Sequence, residues 1–473
     1  MKKAMKDKAI RGGMESNSPL GRAVIIGAGM SGLLAARVLS DRFASVTILE
    51  RDRFSNERTF RPGVPQARHL HTLIARGFKA FEEIFPGTHA GLSRAGARIV
   101  DFGADGSFLF ANGWASRDKL GVRFQPAGRT LLEGSLREVV SELPGVRILD
   151  GSSVTGLYGS TENITGVTVR TGEEEPTVLE ADLVIDASGR RSHLPDWLEA
   201  VGLPRPKEHI LDAGIGYASR LYENKSDEWP DWHMHVEFLQ HPEVRRGCYV
   251  TRIEENRLIV TLQGIGGDHP PNDEEGFSAF LKSLRSPIAD FIESMQAVSP
   301  IYRYAATANR RLDYHRISPW PSGLIVVGDS ACTFNPVYAQ GMTVAALEAQ
   351  LLRDMIDDCS TMRDLRGLPR RFQRRSARLT RWPWTMSTAG DWAWQQDRKP
   401  PPMAAFAQWY MSRWLRLVAA DPWMFKHFAR ALHMLSGPGA LVHPRLVFGI
   451  VRSMFSSRAT ARLHEREGAS TPR

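Results

Sequence analysis

"RAVIIGAGMSGLLAARVLSDRFASVTILERD", from Arg22 to Asp52, decides the fold. Val24, Ile25 and Ile26 make a short apolar run of the kind that fills a buried strand. Gly27, Gly29 and Gly32 follow as G-x-G-x-x-G, and Leu33, Leu34, Ala36, Val38 and Leu39 then recur at helical spacing. "SVTILE" reads as a second strand ending on Glu50. Strand, glycine turn, helix and strand in that order make a dinucleotide-binding unit. One glycine permits the tight turn, one lets backbone N–H groups approach a pyrophosphate, and one lets the helix lie close on the strand. The helix N-terminus adds partial positive charge toward the phosphates. Glu50 stands at the expected spacing of roughly 20 residues and can accept hydrogen bonds from a ribose diol. A carboxylate there repels a 2′-phosphate, so FAD or NAD is expected rather than NADP. Gly27, Gly29, Gly32, Glu50 and the adjacent Arg51 are the first candidate cofactor contacts. "QGIGGDH" at 263–269 has glycines but no helical run after it, so one dinucleotide is expected, not the two of a disulfide reductase.

Three later segments belong with this unit. "EADLVIDASGRRSHL" puts a short buried strand, Leu183 to Ile185, before Asp186 and the turn at Gly189. "GRTLLEGSLREVV" places Arg129 at a helix start with Leu132 and Leu136 on one face, where the Arg can reach a phosphate or a flavin edge. "GDSACTFNPVYAQGMTVA" follows the apolar run 324–327. Its Asp329 can accept hydrogen bonds from the sugar-alcohol chain of a flavin nucleotide. Pro336 stiffens the loop, and Gly341, followed by Met342, lets backbone come close to a flat ring. A helix beginning there points N–H groups at the ring, where reduced flavin carries negative charge.

The bulk numbers set bounds. At 473 residues the chain is long enough for two or three domains. No apolar run reaches the roughly 18 residues of a membrane span. "MKKAMKDKAIRGGMESNSPL" is polar and basic, lacks the apolar core of a signal peptide, and reads as a flexible tail over 1–20. The 3 cysteines are scattered without metal-ligand spacing and fit a reducing compartment, so a cytoplasmic protein without a metal is expected. The net charge of +9 is concentrated in 361–473, which holds 20 Lys+Arg against 6 Asp+Glu. Zinc-finger spacing and basic-zipper heptads are missing from the sequence, so nucleic acid is not expected as a partner.

G-x-G-x-x-G with Glu50, "DASG" and "GDS…P…GM" occur in the order found in FAD-dependent monooxygenases of the aromatic-hydroxylase fold, and the chain resembles them over most of 22–355. The "GMTVA" ending is similar to that of squalene epoxidases. "GVPQARHLHTL" (63–73), "DLVIDASGRRSHLPDWLEAVGL" (182–203), "DAGIGYASRLYE" (212–223) and the stretch 308–342 resemble bacterial FAD-dependent epoxidases of polyether pathways. The resemblance implies an α/β fold: a Rossmann-like FAD-binding domain (21–96, 129–190 and 311–360), an inserted antiparallel-sheet substrate domain (97–128 and 191–310), and a helical C-terminal region (361–473). It implies FAD as cofactor, and reduction by NAD(P)H or by a separate flavin reductase. One atom of O2 then passes to an apolar substrate, as alkene epoxidation in secondary metabolism or as hydroxylation of an aromatic or heteroaromatic ring. A flavin-dependent isoprenoid reductase and a non-catalytic flavin-binding protein are the more distant readings. Three departures stand out: the family's Asp-Gly pair is spread over Asp186 to Gly189, Cys332 replaces a frequent His, and Tyr338-Ala339 replaces a small glycine pair. "WPWTM" (382–386) is similar to the W-x-W-x-I-P of flavin halogenases, but it lacks Ile-Pro and follows the flavin motifs, which argues against halogenation.

The loop "RPGVPQARHLHTL" carries Arg61, Arg68, His69 and His71. In this fold it approaches the flavin, and an Arg, with Arg68 the candidate, would pair with the pyrophosphate. His69 and His71 face one side in extended backbone and either deliver a proton or simply pack; no residue is assigned as catalytic. "HMHVEFLQ", "GCYVTRI" and "RLIVTLQGI" alternate as strands of a half-buried antiparallel sheet roofing the flavin. Tyr217, Phe238 and Tyr338 are pocket candidates. Between Trp382 and Trp423 lie 7 of the 12 tryptophans, on helices that either pack on the body or touch a membrane surface. Packing is the favoured reading, with the helices closing the substrate pocket.

Overall fold

The computed structural model describes residues 20–55, 60–226, 228–395 and 398–453. Of the expected basic tail only Leu20 falls among them, and it opens the first strand.

Five parallel strands carry the cofactor half: β1 (Leu20–Ile26), β2 (Phe43–Leu49), β3 (Val146–Leu149), β4 (Leu183–Asp186) and β5 (Leu324–Val326), in the order β5-β4-β1-β2-β3. A parallel sheet is covered on both faces, which is why these strands read as continuous apolar runs. Side chains alternate across it. Ile25, Ile48, Leu183, Ile185 and Ile325 enter one core with the helices α1 (Met30–Leu39), α2 (Arg129–Ser141) and α3 (Gly341–Asp357). Val24, Ile26, Leu49, Val184 and Val326 enter a second core, beneath a three-stranded antiparallel sheet that contributes Val167 and Val169.

An eight-stranded, largely antiparallel sheet forms the other half. Its long strands Ile215–Glu223, Arg246–Arg252 and Arg257–Ile265 pair in register, Cys248 opposite Leu262 and Ala218 opposite Leu262. The expectation of a half-buried sheet needs correction, because Arg257–Ile265 is buried on both faces. Leu258, Val260 and Leu262 pack on the helices Glu274–Lys282 and Ile288–Glu293. On the opposite face Thr261 lines an internal cavity and Ile265 packs with Tyr217.

The C-terminal region is helical, as α4 (Met362–Leu379), α5 (Arg381–Asp391), α6 (Pro402–Val418), α7 (Pro422–Leu432) and a last helix over 444–453. Trp414, Phe425 and Phe428 enter one core with Phe102, Phe108 and Phe110 of the sheet side. These helices pack on the body, although Phe406 and Phe448 stay exposed. Among the described residues no helix is long and apolar enough to cross a membrane.

Candidate active site

The turn between β1 and α1 is built for a close ligand. Gly27 has φ +98°, a conformation that favours glycine, and a Cβ there would lie 2.7 Å from Ala187 O. A Cβ at Gly32 would overlap Gly27 O, so the third glycine sets the helix against the strand. Gly29 differs: a Cβ would meet nothing within 4 Å, and the residue lines a cavity of about 500 Å³. The α1 N-terminus has no side-chain cap, and Met30 and Ser31 line the same cavity, so its first N–H groups are free to bind an anion. Gly189, at φ +82°, is likewise open and on the cavity wall. The cradle therefore fits a pyrophosphate and flat ring.

Glu50 lies at the end of β2 with both oxygens already engaged. One accepts the Ala28 N–H at 2.9 Å, the other the Asp52 N–H at 3.0 Å. Arg61 Nη1 sits 3.0 Å from the first oxygen and 3.5 Å from Asp52, and its other terminal nitrogen bonds Glu133. Arg129, the first residue of α2, closes on Glu133 through Nε and Nη2, each at 2.9 Å. Burial works against the Arg61 charge, but Glu133 and Glu50 hold its pKa above the ordinary value. Burial likewise works to raise Glu133, yet Arg129 and Arg61 keep it below the ordinary carboxylate range. Glu50, Arg51, Arg61 and Arg129 all line the cavity. Glu133, which sequence reading passed over, is the buried anion that holds two arginines there; R-x-x-x-E at i,i+4 was the available signal.

Arg68 does not sit with them. It is exposed and its guanidinium lies 4.4 Å from the Tyr302 ring centroid, off the cavity wall, because the short helix Pro65–Arg68 turns it outward. In this conformation the Arg68 side chain does not reach the cavity.

"DASG" and "GDS" meet beneath the cavity. Asp186, fully buried at the end of β4, accepts Ser188 N–H at 2.9 Å and Ser192 O–H at 2.5 Å, with Ser330 O–H at 3.3 Å. Ser330 also accepts the Gly189 N–H at 2.8 Å. Asp186 therefore ties two motifs together from below. Asp329 points the other way. It lines the cavity, its carboxylate has no hydrogen-bond partner among the described residues, and burial raises its pKa against the opposing charges of Arg190 and Arg129. Its Oδ1 lies 3.8 Å from where a Gly341 Cβ would be, at the start of α3, and Gly341 and Met342 line the cavity beside it. Glu348, one face of α3 further on, accepts the Gly328 N–H at 2.7 Å and is pushed up to about 7 by burial.

The loop between Asp329 and Gly341 is braced from outside the motifs. Asp391, the last residue of α5, accepts from Asn309 at 2.6 Å and Asn335 at 2.9 Å, and from Tyr338 O–H at 3.3 Å. "WPWTM" belongs to this bracing helix. Burial lifts Asp391 to about 7.

Away from the cradle the cavity wall turns aromatic and apolar, with Phe102, Phe108, Phe124, Met234, Val236 and Phe238. Tyr217, Phe238 and Tyr338, the pocket candidates, all line it. His69 reaches Ser219 at 2.8 Å, and Ser219 reaches Thr261 at 2.7 Å, which ties the loop to the roof. His71 Nδ1 donates to His69 O at 3.0 Å. Burial lowers His69 to about 4 and His71 to about 3, so both are neutral at ordinary pH. Leu432 and His433, beyond every motif, complete the wall.

A sequence model of the FAD-binding domain family matches residues 22–356. Protein Rv3254 of Mycobacterium tuberculosis is 29% identical over 439 residues, covering 88% of this chain and 90% of that protein. Squalene epoxidase 4 of Arabidopsis thaliana is 25% identical over 370 residues, 74% of this chain and 65% of that one. Among solved structures, the flavin-dependent brominase Bmp2 superposes with a TM-score of 0.62 at 15% identity, over 87% of this chain and 92% of its own; at that identity the likeness is one of fold.

Proposed function

The chain belongs to the FAD-binding domain family, and on that footing we propose that it is an FAD-dependent monooxygenase that epoxidises a carbon–carbon double bond in an apolar substrate. Bound FAD supplies the oxygen-activating chemistry, with one atom of O2 going to the alkene and the other leaving as water. NAD(P)H, directly or through a separate reductase, would provide the two electrons. The protein's part is to bind, orient and exclude water. In this reading the α1 N-terminus and Gly29 take the pyrophosphate, Glu50 the ribose, and Asp329 the sugar-alcohol chain. Gly341 and Met342 border the ring.

The observation that carries the alkene reading is the chemistry of the apolar chamber. Hydroxylating a phenol calls for a group that takes its proton. Burial holds three of the cavity-wall histidines well below the ordinary imidazole range, His69 to about 4 and His71 and His433 to about 3, which leaves them feeble bases; His193, the fourth, is exposed. Burial drives Tyr217 and Tyr338 far upward, so they keep their protons. Glu348 and Asp391, raised to about 7, are not on the cavity wall, and the carboxylates that are, Glu50 and Asp329, belong to the cradle. An alkene needs no such base. The likeness of 63–73, 182–203 and 308–342 to polyether-pathway epoxidases supports the same choice, as does the squalene epoxidase relative.

The test is product analysis. FAD-loaded, NADPH-reduced protein is incubated with apolar alkenes and with phenols under isotopically labelled dioxygen. An epoxide carrying one labelled oxygen is expected. Labelled ring hydroxylation without epoxide would overturn the alkene assignment, and turnover independent of oxygen would point to a reductase.

A further inference from the structure

His433 follows the last turn of α7 and is only 1% exposed, yet it lines the cavity. Its ring stands edge-on to Phe102, with centroids 4.5 Å apart, and 5.1 Å from Phe124. Its backbone is fixed on both sides: His433 N–H donates to Ala429 O at 2.9 Å, and its carbonyl accepts Arg76 N–H at 3.2 Å. The ring is fixed as well. Nδ1 lies 3.0 Å from the Ala75 backbone nitrogen. A backbone N–H can only donate, so Nδ1 is the acceptor and carries no proton. Burial lowers the imidazole to about 3 against the opposing charge of Asp101, so the ring is neutral. The one remaining proton is on Nε2. Among the described residues Nε2 has no hydrogen-bond partner; the Asp101 carboxylate is taken up by the N–H groups of Gly103, Leu120 and Gly121.

An N–H donor that opens onto an apolar wall without a protein acceptor is left to water, and a ligand that displaces that water must bring an acceptor or leave the donor unpaired. We propose that His433 Nε2–H recognises a hydrogen-bond acceptor, a carbonyl, ester or ether oxygen, on an otherwise apolar substrate. The donor has a single fixed polarity, so it selects acceptors and rejects a cation. The walls beside it, Phe102, Phe108, Phe124 and Leu432, carry no positive charge to receive a carboxylate, so the class is a neutral oxygenated chain or ring system. A pure hydrocarbon would fill the same space and leave the donor unpaired. The inference deepens the epoxidase reading and rests on it for the chamber being the substrate site.

The FAD-loaded full chain is titrated with geranylacetone and with the hydrocarbon in which its carbonyl is replaced by a methylene, following the flavin absorbance. This readout involves no oxygen transfer, so it stands apart from the product analysis. The native protein is expected to bind the ketone roughly tenfold to a hundredfold more tightly. In His433→Asn the carboxamide oxygen can still accept the Ala75 N–H, while nothing replaces Nε2; the preference should fall to near unity with the melting temperature kept. His433→Gln places an N–H donor near the Nε2 position and should retain much of the preference. Equal binding of the two probes by the native protein overturns the inference, as does an undiminished preference in His433→Asn. A flavin spectrum that responds to neither probe overturns it too. None of these binding results decides whether an alkene is epoxidised.

Discussion

Arg61 gives the sharpest test of how the cofactor wall is held. Its guanidinium bridges Glu50 and Glu133, and all three side chains are at most 8% exposed. Replacing Arg61 by Met keeps the apolar stem but leaves two buried carboxylates without their shared cation. Breaking a buried pair in this way costs about 3–5 kcal/mol. Arg129 still holds Glu133, through two contacts of 2.9 Å, so the lower end of that range applies. An unfolding entropy of about 2.1 cal/mol/K per residue gives about 1 kcal/mol/K for a chain of this length, so the FAD-free protein should melt about 3 °C lower near neutral pH. FAD-free protein is specified because bound ligand would shift the melt by mass action.

The pH dependence distinguishes charge from packing. In the native protein Glu133 has its folded pKa below its unfolded one, so its contribution is present above the unfolded value and fades as pH falls through the folded value. Without Arg61, burial has more weight and the same carboxyl becomes easier to protonate. The gap between native protein and Arg61→Met should therefore be widest near neutral pH and narrow as pH falls toward about 4. Differential scanning calorimetry across that window measures it. A gap that stays constant would refute the argument and leave Arg61 with a packing role alone.

Gly32→Ala should prevent the FAD-free protein from folding well, since its Cβ would overlap Gly27 O; Gly29→Leu should leave the FAD-free melt unchanged and abolish flavin content, since its Cβ meets nothing in the protein. Asp329→Ala should weaken FAD retention by roughly tenfold or more, the usual cost of losing hydrogen bonds to a charged group; an unchanged flavin-to-protein absorbance ratio after purification would remove that role. Asp391 has a folded pKa of about 7, above its unfolded value, so its contribution is full below the unfolded pKa and is lost as pH rises through about 7. Asp391→Asn should flatten the fall in stability over that window, with Glu348, also at about 7, leaving a residual slope; a curve superimposable on the native one contradicts the assignment.

The legible parts of this site are those where a local pattern does the physical work. A glycine forced to φ +98° and a glycine against which a helix packs leave a spacing in the sequence, and so β1, α1 and β2 could be read before any coordinates. Arg129 was placed at a helix start for the same reason, from leucines recurring on one face. What could not be read is what depends on pairing across the chain. Arg61 meets Glu133 over a separation of 72 residues, and nothing near Arg61 in sequence says that its partner is a carboxylate rather than a phosphate. Arg68 stands off the cavity wall because a single short turn, Pro65–Arg68, decides which way it points. The alternation in Arg257–Ile265 reads as a half-buried strand, yet both faces are buried, with Thr261 on the cavity wall; period alone does not tell a face turned to an internal cavity from one turned to solvent.

The residues that match the FAD-binding domain family end at 356, and the cavity does not. Asp391 braces the loop that carries Tyr338 through Asn309 and Asn335, and Leu432 and His433 wall the apolar chamber. Both come from helices that follow the matched region and contribute nothing to the glycine cradle around Gly27 to Glu50. The apolar chamber is therefore walled from both sides of position 356, by Phe102, Phe108, Phe124, Met234, Val236 and Phe238 within the matched residues and by Leu432 and His433 beyond them. Leu432 at the end of α7 and His433 after it reach the chamber without touching the backbone N–H groups and carboxylates of the cradle. A substitution at Leu432 should shift probe binding and leave flavin content unchanged, whereas one at Gly29 should remove the flavin itself. A substitution at Asp391 should move both, because its carboxylate holds the loop that stands between the cradle and the chamber.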